Sequence, residues 1–142
     1  MEDNAKIKIV TVSAPVDGSK PDKFELETPG KFCKKDGKFY IMYEETELTG
    51  FKNTTTTVKI ASDEVLLRRH GDFESRMEFV KGQKRLCRYN TPYGPIPVAT
   101  ELSQLSNNLS EKGGTATICY ALDFDNEKFA VNTLNISVEM KG

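Results

Sequence analysis

An all-β protein, folded as an antiparallel β-barrel of about eight to ten strands with little or no helix, is what this sequence predicts. Three observations carry that expectation. Apolar and polar residues alternate with period two through most of the chain. Turn residues break the alternation about every ten positions. Helical spacing is confined to one segment, Thr100–Ser110, where Leu102, Leu105 and Leu109 recur behind a capping threonine. A strand fits that segment equally well. With 142 residues the chain suits one domain, residues 1–142, able to bury a core without staples.

The elements follow in order. Lys6–Ser13 alternates, but its apolar residues change parity from Ile7 and Ile9 to Val10 and Val12, which predicts a bulge. A loop from Pro15 to Pro21 leads to Lys23–Thr28, where Phe24 and Leu26 oppose Glu25 and Glu27. Asp36-Gly37 is a hairpin turn between Lys31–Lys35 and Lys38–Thr46, with Phe39, Ile41 and Tyr43 on one face. Asn53–Ala61 contains four successive threonines, read as β-branched strand formers. Glu64–Arg69 and Asp72–Lys81 come next, the latter with Phe73, Ser75, Met77 and Phe79 together. Lys84–Thr91 and Pro95–Thr100 are strands, and Thr115–Asp123 puts Ala116, Ile118, Tyr120, Leu122 and the following Phe124 inside. The final strand, Glu127–Glu139, changes parity near Asn132-Thr133, where a second bulge is expected. Strands this long, joined by sequential hairpins, favour a barrel over a sandwich, because closure removes exposed edges.

Composition narrows the function. Hydrophobic content of 37% and charged content of 29% suit a soluble globular chain, and a net charge of −1 gives no long-range pull toward nucleic acid or membrane. Basic residues beside Tyr89 and Tyr93 could face a single strand, but acidic residues are as dense nearby, so no nucleic-acid partner is expected. Three separated cysteines without a C-x-x-C pair, and an acidic start without a leader pattern, lead us to expect a cytoplasmic protein. One histidine, His70, and no local ligand pair give no metal site and no cofactor. His70 reads as a solvated strand-end residue. No nucleophile or phosphate motif appears, so catalysis is the less expected class.

What stands out is charge on apolar faces. Val65, Leu67 and Arg69 share one face of their strand and Leu66 and Arg68 the other, so an arginine follows either face inward. Glu45 shares a face with Phe39, Ile41 and Tyr43. A buried arginine needs acceptors. Two arrangements answer that need. An Arg–Glu–Tyr network could plug one end of the barrel, or a lumen with one positive group and tyrosine hydroxyls could hold a small polar or anionic ligand. The ligand-binding candidates are Arg69, Tyr89, Thr91, Tyr93, Tyr43 and Glu45. The alternative partner is a second copy of the chain, docked on the proline-rich segment around Ile96 and Val98.

That segment, Arg88 to Val98, places prolines at 92, 95 and 97. Pro95 and Pro97 remove two donors from the same strand edge, which predicts a sharp corner followed by a strand paired on one side, with the site beside it.

Tyr43-Glu44-Glu45 with Gly50, Arg69-His70-Gly71, Met77-Glu78-Phe79, Tyr89-Asn90-Thr91-Pro92-Tyr93-Gly94 and Ile118-Cys119-Tyr120-Ala121-Leu122 together resemble the YwiB-like family. This is a family of small uncharacterised bacterial proteins, mainly from Firmicutes. The resemblance covers nearly the whole chain, apart from Pro15–Thr28, and Tyr-x-Thr-Pro-Tyr-Gly is its most specific part. It implies a calycin-like barrel, related in architecture to lipocalins, and no known activity.

Overall fold

The computed structural model describes residues 3–45, 52–91 and 94–141, with side chains for all of these except 89–91. Ten antiparallel strands form one sheet: β1 (Ala5–Pro15), β2 (Asp22–Lys35), β3 (Lys38–Glu44), β4 (Thr54–Ile60), β5 (Glu64–Gly71), β6 (Ser75–Val80), β7 (Lys84–Thr91), β8 (Gly94–Asn107), β9 (Gly113–Phe124) and β10 (Glu127–Met140). Their order is β6-β5-β4-β3-β2-β1-β10-β9-β8-β7. Each strand except β6 therefore pairs with its successor in sequence, and β1 pairs with β10. The sheet curls until its two edges, β6 and β7, meet at a single bridge between Val80 and Gln83. The result is a nearly closed barrel. Among the described residues there is no helix, and none that could cross a membrane.

Inward positions of the alternating strands build the core. Ile7, Ile41, Ile60, Val65, Phe79, Val98, Ile118, Leu122 and Ile136 are fully or almost fully buried there. Asp36 and Gly37 turn β2 into β3 with φ of 53° and 76°, the left-handed pair that a tight hairpin demands.

Several expectations change. Lys23–Thr28 and Lys31–Lys35 are one strand, which pairs with β1 up to Gly30 and with β3 from Lys31 onward. Thr100–Ser110 is not a helix. Most of it continues β8, with an irregularity between Leu102 and Gln104. The pairing of β1 is uninterrupted against both neighbours, so it has no bulge. In β10 the irregularity falls between Lys128 and Ala130, not near Asn132. Phe73 precedes β6, and both it and Phe124, the last residue of β9, are exposed rather than inside. The predicted end of the third strand at Thr46 lies outside the described residues.

The parity changes have another cause. Thr11 and Ser13 continue the inward face of Ile7 and Ile9, and Asn132 continues that of Leu134, Ile136 and Val138. The face does not switch. Its chemistry switches from apolar to polar at one level of the barrel.

The proline segment behaves as its donors require. β8 pairs with β7 from Gly94 to Glu101, but with β9 only from Ala99 onward. The far edge of Gly94–Val98 carries no strand among the described residues. Pro92 and Tyr93, the expected corner, lie outside them.

Candidate functional site

Where the inward face turns polar, side chains no longer fill the barrel. A cavity of about 320 Å³ remains, bedded on Ile9, Val58, Leu67, Met77, Leu134 and Ile136. Two polar walls face each other across it.

The first wall is a rung across four strands. Tyr43 pairs with Thr56, Thr56 with Arg69, and Arg69 with Ser75. Period-two geometry points all four inward. Glu45, just past β3, is anchored by its backbone N–H donating to Thr54 O at 2.8 Å, and its carboxylate swings over the rung. The Thr56 hydroxyl donates to Glu45 Oε1 at 2.7 Å. Arg69 Nε lies 3.9 Å from the same oxygen, with the Glu45 side chain 3% exposed and that of Arg69 20%. The partly wet arginine thus balances a nearly dry carboxylate. Burial, and then the Glu45 charge, push the Tyr43 phenol far above its ordinary range, while the Arg69 charge opposes them. Tyr43 is therefore a neutral hydroxyl at any physiological pH.

The second wall is smaller. Asn132 pairs with Ser13 on one side and Tyr120 on the other. The Ser13 hydroxyl donates to Asn132 Oδ1 at 2.7 Å, and Asn132 Nδ2 donates to the Tyr120 hydroxyl at 3.3 Å. The Tyr120 ring tilts against Phe79 with centroids 4.4 Å apart, which ties this wall to the core. Arg88 of β7 also lines the cavity.

Of the six expected ligand-binding residues, Tyr43, Glu45 and Arg69 come together here. Tyr89 and Thr91 are placed by backbone only, on β7 opposite Ile96 and Gly94, and Tyr93 lies outside the described residues. The unpaired edge of β8 does not line this cavity in the described residues. A separate depression lined by Leu86, Pro97 and Phe124 lies along it.

Sequence reasoning missed Thr56, Ser75, Arg88 and the Ser13–Asn132 pair. Thr56 was masked by its run of threonines, which as strand formers need no further explanation. Ser13 and Asn132 did leave a signal, the parity changes read as bulges. His70 is exposed, with Nδ1 3.1 Å from Glu74 Oε1, as a solvated strand-end histidine should be. No group of metal-ligating side chains is gathered among the described residues.

Comparison with known proteins agrees with this architecture. Residues 7–136 match the model of a family described as a domain of unknown function, DUF1934. The chain is 25% identical over 139 residues to the uncharacterized beta-barrel protein YwiB of Bacillus subtilis, covering 98% of this chain and 96% of that one. The crystal structure of the Bacillus subtilis ywiB protein superposes with a TM-score of 0.80 at 22% identity, over 99% of this chain and 93% of the other.

Proposed function

The chain belongs to the DUF1934 family, described as a domain of unknown function, and we propose that it is a cytoplasmic, non-enzymatic binder of a small polar or anionic ligand held in the barrel lumen. One observation carries this reading: the barrel keeps a cavity of about 320 Å³ at the level where its inward residues become polar. A plug would have filled that space. The Arg69–Glu45–Thr56 group occupies one wall and leaves the lumen beside it open. Up-and-down barrels of this size are suited to enclosing one small ligand. The three cysteines are all free thiols, which suits a reducing compartment.

Native mass spectrometry of the protein purified from its own host tests the proposal. We expect a retained small molecule that is lost in Arg69→Ala and in Leu67→Trp, which fills the lumen. An apo mass for the wild-type protein at every concentration would overturn it.

A second reading, an interaction module with no ligand, draws on the surface. The surface is not the one expected around Ile96 and Val98, because Val98 is buried and Ile96 packs against the core; instead Leu86 is 84% exposed, and Phe124 and Pro97 lie with it along the free edge of β8. A concentration-dependent dimer mass, abolished by Leu86→Glu, would favour this reading.

A further inference from the structure

The charges of the described residues around the cavity do not cancel. Its described lining carries three ionised groups: Glu45, Arg69 and Arg88. Glu45 and Arg69 offset each other at 3.9 Å. Arg88, an exposed residue whose side chain reaches the cavity, makes no ion pair among the described residues, so their lining carries one positive charge in excess.

Arg88 is also unusual in its reach. It shares strand parity with the outward-facing Leu86, yet it lines the cavity. The open seam explains this. Among the described residues, one backbone hydrogen bond links the facing edges of the barrel, from Gln83 N–H to Val80 O. Counting antiparallel from that bridge brings Ser75 of β6 level with Arg88 of β7, at the far, unladdered end of the seam. Ser75 Oγ is buried there with no hydrogen-bond partner among the described residues. A buried hydroxyl without a partner is costly, so Ser75 Oγ at the cavity wall needs a reason, whereas the exposed Arg88 is solvated and free to turn toward a ligand.

We infer, building on the lumen-binder reading, that the site takes an amphipathic monoanion. Its carboxylate head sits at the seam between the Arg88 guanidinium and the Ser75 hydroxyl, and its short apolar body lies on Val58, Leu67, Met77 and Ile136. A guanidinium fork matches a carboxylate's two oxygens. A cation would add to two arginines and one carboxylate, and a neutral ligand would leave Arg88 unmatched. A space of about 320 Å³ accommodates roughly ten water-sized groups. An eight-carbon carboxylate has about that many non-hydrogen atoms.

Calorimetric titration of the full chain with octanoate, 1-octanol and octylamine tests the inference. We expect octanoate to bind at least tenfold tighter than octanol, and octylamine not to bind. In Arg88→Gln, octanoate should weaken about tenfold while octanol affinity is unchanged, and Leu67→Trp should abolish both. An unchanged octanol affinity also shows that the Arg88→Gln barrel is intact. Octanol or octylamine binding as tightly as octanoate, or octanoate undiminished in Arg88→Gln, would overturn the charge assignment and leave the lumen-binder reading standing. Failure of every probe to bind the wild-type protein overturns it too. In that case a retained molecule in the native mass spectrum still upholds the parent reading, and an apo mass sinks both.

Discussion

Glu45 is the residue on which the candidate site's electrostatics turn. Its carboxylate is almost dry, and it is held by the Thr56 hydroxyl at 2.7 Å, by the Arg69 guanidinium at 3.9 Å and by a hydrogen bond with Tyr43. Thr56→Val keeps the shape and removes the hydroxyl, leaving a buried carboxylate short of a donor. That should destabilise the barrel by about 1–2 kcal/mol in urea unfolding. Glu45→Gln should cost less in the Thr56→Val background than in the wild type, because the two substitutions break one interaction. Tyr43 supplies a pH signature. Its folded phenol titrates well above the unfolded value, so the folded state holds a proton that the unfolded chain releases above about pH 10. Stability due to this residue is fully present below that pH and is lost as pH rises, at up to about 1.4 kcal/mol per pH unit. Tyr43→Phe should remove that part of the slope, read as the difference between two urea-unfolding series at pH 9 to 11. Burial likewise pushes the Cys87 thiol up to about 11. Cys87 should therefore react with iodoacetamide at pH 8 far more slowly than the exposed Cys33, which peptide mapping of the alkylated protein would show.

At the scale of elements, β2 is the strand that shapes the barrel. It serves β1 with its first half and β3 with its second, and Gly30 stands at the changeover. A Cβ there would lie 2.6 Å from Met42 O and 2.8 Å from Ile7 Cγ1, so the backbone of β3 comes too close for any side chain. Gly30→Ala should cost about 1–3 kcal/mol, because β3 must move away from β2 to admit the methyl group. Its urea midpoint should fall well below the wild-type value. The sequence revealed strands more readily than it revealed such junctions. Alternation and Asp-Gly turns made most strands legible, since burial of one face forces that pattern. The division of β2 was not legible, because Pro29-Gly30 reads equally as a turn. The leucine spacing in Thr100–Ser110 satisfied helix and strand alike, and pairing with β9 decided for strand. The candidate site was half legible. Arg69 and Glu45 betrayed themselves as charges on apolar faces, whereas Thr56 and Ser75 are small polar residues that suit any strand. Ser13 and Asn132 were visible only as breaks in an apolar rhythm. Those breaks resemble bulges in the sequence, but in the fold they mark the edge of the cavity.

At the scale of the whole molecule, the barrel's closure is uneven, and this should govern its dynamics. Nine strand interfaces are laddered, from β6 round to β7 by way of β1 and β10. The tenth, between β6 and β7, rests on the Val80–Gln83 bridge and on Thr100 of β8. The buried Thr100 hydroxyl donates to Glu78 O of β6 at 2.9 Å, with Arg85 O of β7 as a second acceptor at 3.4 Å. That side chain holds the seam from inside at its closed end. The opposite end, at Ser75 and Arg88, has no such link among the described residues and borders the cavity. Strands held by one ladder open at lower free energy than strands held by two. Amide hydrogen exchange should therefore be faster in β6 and β7 than in β9 and β10. Thr100→Val removes the hydroxyl without changing the shape, so it should lower global stability by about 1–2 kcal/mol and accelerate exchange in β6 and β7 beyond that global loss. Uniform acceleration across all ten strands would mean that the seam does not open on its own, and a ligand would then have to enter the lumen by another route. Acceleration confined to β6 and β7 would identify the seam as the weakest wall of the barrel, beside the cavity it encloses.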